Sequence, residues 1–518
     1  MSIKVLIATG GEIAIRIART IKDNGLIPIG VYTPSDKEAL HRRFMVDDIE
    51  ISSYEDINEI IYAAQELGAD AVHPGYGILA MENEYASLLK RKNIAFIAPP
   101  PSVYAITRDK IVAKTYAEKL GIPTPPWREI KSPDDVLEFA REHGYPLILK
   151  PIAGKWGIGV RIIRSESEVE SMVKSSRSIA EKTFRDPRLY VEPFIENSKH
   201  IEVQVLGDRE NIIHLYDREC FIGRNFRRLI AEAPSPSLDQ ETRRKIIEMA
   251  LTIARSIRLE NLATIEFIYN PETKQVFFIE VNPGLTPEHA VTEFIIRRDL
   301  VKKQLEVSLY GAHGVKQDEL ILDGHAIGVN IYAENPLTNE KTTGTITNYI
   351  EPGGAGIRVD SELSKGVQIE NRDLIARIIA WGTERKTAIS RLNRALTELT
   401  IEGLVTNHIY LKYLIEHPVF QSADYTISKL VEVDNSITKK IVNTITTHSI
   451  VLATLVEFDD EGVKNYVKKP SVLTSILQSE KAMSIKRSAW YYYASVRAAL
   501  ERHYLSRRRH SSGREGRK

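Results

Sequence analysis

Residues 3–33, IKVLIATGGEIAIRIARTIKDNGLIPIGVYT, run as a short β-type segment, a glycine turn, an apolar-faced helix and a second β-type segment. That order restricts the fold sharply, because strands joined through a helix lie parallel in a sheet that helices cover. The pattern returns in AVHPGYGILA and IAFIAP, so residues 1–115 read as one doubly wound, Rossmann-like α/β domain. Gly10 and Gly11 stand at the first strand-to-helix turn. Backbone N–H groups bind phosphate at such turns in many folds, although a plain tight turn is the commoner meaning of two glycines.

A chain of 518 residues is too long for a single core. ITRDKIVAKTYAEKLGIPTP reads as a helix closed by glycine and proline. YPLILKPIAGKWGIGVRII then gives a strand, a glycine-bearing loop and a strand. LATIEFIYNPETKQVFFIEVNPG gives a hairpin turning at Asn-Pro-Glu-Thr. The middle of the chain, 116–315, is therefore α+β, with a smaller unit at about 135–205. Residues 325–440 read as a further mixed domain, 441–505 as a helical extension and 506–518 as a disordered basic tail.

Net charge is +1, which weighs against wholesale nucleic-acid binding. The single cysteine, Cys220, excludes an internal disulfide framework and a cysteine zinc site. The opening MSIKVLIATGGE has no cationic and apolar leader pattern, and no apolar run approaches the ~20 residues a membrane helix needs. A cytoplasmic protein is expected.

The chemistry gathers in the middle of the chain. Lys150 ends a strand and is followed by Gly154, Gly157 and Gly159. Glycines let backbone amides approach phosphate oxygens, and a lysine adds a point charge to the same group. Glu266 and Glu280 occupy the two strands of the hairpin, and Asn282 shares the face of Glu280 two residues on. If the glutamates pair across the hairpin, they clamp a hard cation such as Mg²⁺ between nucleotide phosphates.

GEIAIRIAR, AVHPGYG, RDK at 108–110, HIEVQVLGD, RECFI, EAPSPSL, EFIY, FIEVN, PEHAVTE, GHAI, AENP and PGGAGIRVDS follow one another in this chain. In order and spacing they resemble the biotin carboxylase family from residue 2 to about 445. The resemblance implies an ATP-grasp fold with a pre-ATP-grasp N-terminal domain and a biotin-carboxylase-type C-terminal domain. It implies that ATP and bicarbonate form carboxyphosphate and ADP. Carboxyphosphate then yields CO₂, and the phosphate takes the N1 proton of biotin, which is carboxylated. Lys110 and Lys150 match the nucleotide-phosphate lysines, Glu192 and Ile195 belong to the adenine-binding linker, and His200 matches a histidine beside the nucleotide. Glu266, Glu280 and Asn282 match ligands of Mg²⁺ or Mn²⁺. Glu288 matches the base for bicarbonate, Arg358 the arginine that steadies the biotin enolate, and Arg228 a lysine of the anion site. Biotin is expected on a separate carrier protein, because the chain lacks an Ala/Val-Met-Lys-Met motif. The carboxyltransferase of an acyl-CoA carboxylase would be another chain, and a homodimer is expected.

Several family positions differ. Gly284, Thr286 and Pro287 stand where the family has an arginine, a glutamine and a valine, which together hold bicarbonate. Gly223 and Phe226 replace a glutamine and a histidine. Lys155 and Trp156 interrupt a glycine run, and Thr9 and Gly10 replace Asn-Arg. The metal and adenine elements are thus kept while the anion groups are thinned. One lost charged donor commonly costs ~3 kcal/mol, so biotin-dependent ATP cleavage is expected to fall. A nucleotide-binding regulatory or structural paralogue and a ligase for another acid are the alternatives. Lys155, Arg224 and Arg227 are candidates to replace the missing cations. A stiffened loop is expected at 153–159, with Trp156 as a fluorescent reporter of closure.

Overall fold

The computed structural model describes residues 2–76, 83–155, 157–223, 226–370 and 372–457. Trp156, Arg224 and the stretch after 457 lie outside the described residues. So do the tail and most of the helical extension expected there.

The opening segment forms the parallel sheet its pattern demands. Strands Asp48–Glu50, Ile27–Tyr32, Lys4–Ile7, Ala71–His73 and Ala95–Phe96 lie side by side in that order, all parallel. Val5, Leu6 and Ile7 are wholly buried, as expected for a central strand covered on both faces. Helix Gly11–Asp23 follows, and its first residue, Gly11, takes φ +81°.

A four-stranded antiparallel sheet comes next, ordered Arg128–Ile130, Leu189–Pro193, Leu147–Pro151 and Arg161–Ile163. Helices Pro133–His143 and Val169–Phe184 close its own small core through Val136, Phe139, Val169 and Val173 against Leu147, Leu149 and Leu189. Ser132 and Asp135 cap the first of these helices reciprocally. This unit holds Lys150 and Glu192 on adjacent strands.

The third sheet has eight strands, antiparallel throughout. Its order is Val276–Pro283, Glu260–Tyr269, Lys199–Asp208, Ile212–Ile222, Arg228–Ala233, His325–Tyr332, Leu374–Gly382 and Ile357–Ser361. The connection at 315–325 therefore joins strands of one continuous sheet. Helix Lys110–Lys119 packs on the hairpin edge and Arg385–Glu398 on the far strands. Among the described residues no helix is long and apolar enough to cross a membrane.

Candidate functional site

The hairpin registers as its sequence implies: Glu266 lies opposite Glu280, and Thr264 opposite Asn282. A bulge after this pair shifts the register at Phe267 and Phe278. Glu280 and Asn282 point to the same face, and the Asn282 amide donates to Glu266 and, at 3.3 Å, to Glu280. Three oxygen-bearing side chains therefore converge, which suits a hard cation.

Opposite this face stands the small sheet, and between them opens a cleft. Lys110, Lys150, Gly154, Gly157, Glu192, Ile195, His200, Arg228, Glu266 and Glu280 all line it. Gly159 is not among its walls. It takes φ +80° against Pro151, and its carbonyl accepts from Ser176. That glycine shapes the loop. Ile148, Phe194, Phe226, Ile268, Ile279 and Ile427 add an apolar lining, as a flat aromatic base requires.

Every carboxylate of the cleft has cations beside it. Lys110 Nζ lies 2.8 Å from Glu280 Oε2 and donates to the Gly154 carbonyl. Lys150 pairs with Glu192. Glu266 meets His200 Nε2 at 2.9 Å and the Arg228 guanidinium. Burial raises the Glu280 carboxyl, but the Lys110 ammonium overrides it and holds the group at about 2. Burial lowers the His200 imidazole, yet the Glu266 and Glu202 carboxylates carry it up to about 9. Glu202, two residues along the strand from His200, completes this cluster. Ligand atoms of His200, Glu202 and Glu266 lie within 4.8 Å of one another. Spacing on HIEVQV could have revealed Glu202, since residues two apart share a strand face.

Glu288 and Arg358 are not among these walls. Glu288 is 2% exposed and its Oε2 has no hydrogen-bond partner. Arg358 does not meet it. That guanidinium is bound by Glu293 at 2.6 Å and Asp360 at 2.6 Å, which raise its affinity for its proton against the effect of burial. Arg228, which lines the cleft, is engaged by two carboxylates, with Nε 2.8 Å from Glu202 Oε1 and Nη2 on Glu266.

The substituted positions have been rebuilt. Gly284 takes φ +93°, and its N–H donates to the Leu262 carbonyl at 2.7 Å. Thr286 Oγ1 accepts from Arg218 Nη2 at 3.0 Å. Arg218, wholly buried, also holds Glu202, Gln204 and Thr264. A side chain at Gly223 would meet Leu229 at 2.4 Å, so the space a glutamine needs is filled. Of the suggested replacement cations, Arg227 is committed to Glu334 and Asp373, at 3.0 and 2.9 Å. Lys155 is likewise not free. Over Gly10 the Arg372 guanidinium occupies the volume in which a side chain would start, 2.1 Å from an ideal Cβ. Arg372 also bonds Asp36 at 2.7 Å and Glu362. A cation from the C-terminal part thus stands where the family carries an arginine, and Gly10–Gly11 serve a tight turn against it.

An open cleft between a small antiparallel sheet that carries Lys150 and a larger one that carries Glu266 and Glu280, with Lys110 beside the hairpin, defines an ATP-grasp architecture. Three domain families match in succession: "Biotin carboxylase, N-terminal domain" over residues 1–104, "Carbamoyl-phosphate synthase L chain, ATP binding domain" over 109–313 and "Biotin carboxylase C-terminal domain" over 329–432. Biotin carboxylase 1 of Bacillus subtilis is 36% identical over 434 residues, covering 82% of this chain and 96% of its own. The biotin carboxylase of Pseudomonas aeruginosa is 36% identical over 429 residues, covering 80% and 95%. Among solved structures, a Campylobacter jejuni biotin carboxylase complexed with β,γ-ATP superposes with TM-score 0.80 at 34% identity, covering 83% of this chain and 98% of that one. The biotin carboxylase domain dimer of Hydrogenobacter thermophilus 2-oxoglutarate carboxylase, in complex with MgADP, ADP and bicarbonate, gives 0.81 at 34%, covering 84% and 98%. The chain belongs to the biotin carboxylase family.

Proposed function

We propose that this chain is the biotin carboxylase subunit of an acyl-CoA carboxylase. It binds MgATP and carboxylates biotin presented by a separate carrier protein, with the carboxyltransferase on a further chain. The reading rests on one observation above all: Lys110, Lys150, Glu266 and Glu280 converge on a single cleft beside the 192–195 linker. Lys110 and Lys150 take the nucleotide phosphates. Pro193 lacks an N–H, but the linker carbonyl and the Ile195 N–H remain to read adenine. Glu266, Glu280 and Asn282 hold Mg²⁺ or Mn²⁺. Bound there, the metal neutralises charge on the transferring phosphoryl oxygens. His200 closes the site beside the nucleotide, Glu288 serves as the base for bicarbonate, and Arg358 steadies the biotin enolate once freed from Glu293. Solved relatives include a dimer, which supports a homodimer here, and the cytoplasm is the proposed location.

A second reading is favoured by Arg228, whose charge is engaged by Glu202 and Glu266. In it the chain binds nucleotide but turns over slowly, in a regulatory or structural role within a carboxylase. The experiment that tests both is ADP release by the purified chain with and without bicarbonate and biotin. Nucleotide binding with bicarbonate- and biotin-dependent release supports the carboxylase. Binding without it supports the second reading, and absence of nucleotide binding overturns both.

A further inference from the structure

Helix Lys110–Lys119 presents two lysines on one face, Lys110 and Lys114, four residues apart. Lys110 reaches the cleft. Lys114 has no exposed surface, and its Nζ lies 2.9 Å from Glu192 Oε2. That is close enough for an ion pair, although its alignment falls outside hydrogen-bond geometry. The other Glu192 oxygen pairs with Lys150 Nζ. Glu192 is itself 2% exposed.

Two cations and one anion therefore share a dry corner of the cleft wall, and their charges sum to +1. Holding the fold does not require this arrangement. An apolar chain of similar volume at position 114 would avoid the desolvation that a buried ammonium suffers. Beside a low-dielectric wall, a surplus positive charge acts strongly on a neighbouring anion.

We propose that Lys114 is a positioning residue of the nucleotide site: it neutralises Glu192, leaving the Lys150 ammonium free to act on a polyphosphate. Without Lys114, Glu192 and Lys150 would cancel one another. The proposal rests on the reading of this cleft as a nucleotide site. The electrostatics agree with it. Burial raises the Glu192 carboxyl, and the largest opposing influence is Lys114, ahead of Lys150. Lys114 in turn is drawn down by burial and held up by Glu192.

The test compares ATP and adenosine binding by calorimetry, with Mg²⁺, on the full-length chain and on Lys114→Met. ATP affinity should fall about tenfold while adenosine stays within about twofold, since only the polyphosphate feels the lost charge. The double variant Lys114→Met/Glu192→Gln removes one charge of each sign and should recover most of the ATP affinity, which a structural role would not predict. A wild-type chain that binds no ATP would sink the nucleotide reading itself. A wild type that binds, with a single variant that loses nothing or loses ATP and adenosine equally, would overturn the proposal alone. If the single variant does not melt cooperatively, the double variant decides. Binding near the wild-type level supports the proposal, and binding about tenfold weaker or failure to fold overturns it.

Discussion

The nucleotide half of the cleft and the region expected to hold the anion treat charge in opposite ways. In the first, each carboxylate meets a cation: Glu280 meets Lys110, Glu192 meets Lys150 and Lys114, and Glu266 meets His200 and Arg228. In the second, Glu288 is buried with an oxygen that has no hydrogen-bond partner, and the same holds for Glu12 Oε1, Glu362 Oε1 and His289 Nε2. Burial opposed by Lys110 leaves Glu280 at about 2, whereas burial reinforced by Glu362 pushes Glu12 up to about 8. The difference lies in which carboxylates the cations are committed to: Arg358 is taken by Glu293 and Asp360 rather than by Glu288. Arg228, the cation expected to serve the anion, is bound instead by Glu202 and Glu266.

The largest expected effect breaks the comparison along that line. Bicarbonate-dependent ATP cleavage should run at least ~100-fold below that of a relative with arginine and glutamine at the positions of Gly284 and Thr286, the loss expected for one missing charged donor. Steady-state ADP release at saturating bicarbonate and biotin measures it. Brisk turnover would mean that another cation serves the anion, and the contrast would collapse.

Next in size is the pH dependence of Glu12. Its folded-state value of about 8 lies above the ordinary 4.5, so the folded chain holds a proton that the unfolded chain releases. Stability from this group is complete below about pH 4.5 and drains away as pH rises through 8. Glu12→Gln should flatten that decline and gain on the wild type as pH rises from 5 to 8. Denaturant melts from pH 5 to 9 give the answer, and parallel curves for the two proteins would mean that Glu12 finds a partner.

Glu280→Gln sharpens the other side. Removing one of the two hairpin carboxylates should reduce about tenfold the gain in ATP affinity that Mg²⁺ brings. Calorimetry with and without the ion measures that gain, and an unchanged metal dependence would remove Glu280 from the ligand set.

What could be read in the sequence follows the same division. The Glu266–Glu280 register was legible because a short hairpin fixes its own pairing through local turn chemistry. The parallel opening sheet was legible for a similar reason, its alternation being local. Lys114 was not. In KIVAKTYAEK it reads as one more lysine on a helix, and only contact with a strand 78 positions away (192 − 114) gives it a role. Nor could spacing show that Arg372 would fill the volume over Gly10, or that Arg218 would hold Thr286, because these contacts join distant segments. Long-range charge pairing is set by packing, which no periodicity encodes.

The smallest expected effect concerns Gly284, where residue identity alone suggests that restoring an arginine should raise turnover. The backbone says otherwise. At φ +93° a non-glycine residue is strained by about 1 kcal/mol, and the hydrogen bond from Gly284 N–H to Leu262 at 2.7 Å holds the residue in that conformation. Space is not the obstacle, since the nearest atom to an added Cβ is Pro99 Cδ at 3.9 Å. Gly284→Arg should therefore fold with a stability loss of about 1 kcal/mol. Even combined with Thr286→Gln and Pro287→Val it should recover less than the full ~100-fold, because Arg218 already holds the Thr286 hydroxyl. Denaturant melts of the single variant and ADP release by the triple variant test the two parts. A single variant as stable as wild type would show that the 284 backbone reorganises freely, and full recovery by the triple would show that the anion half was lost through side chains alone.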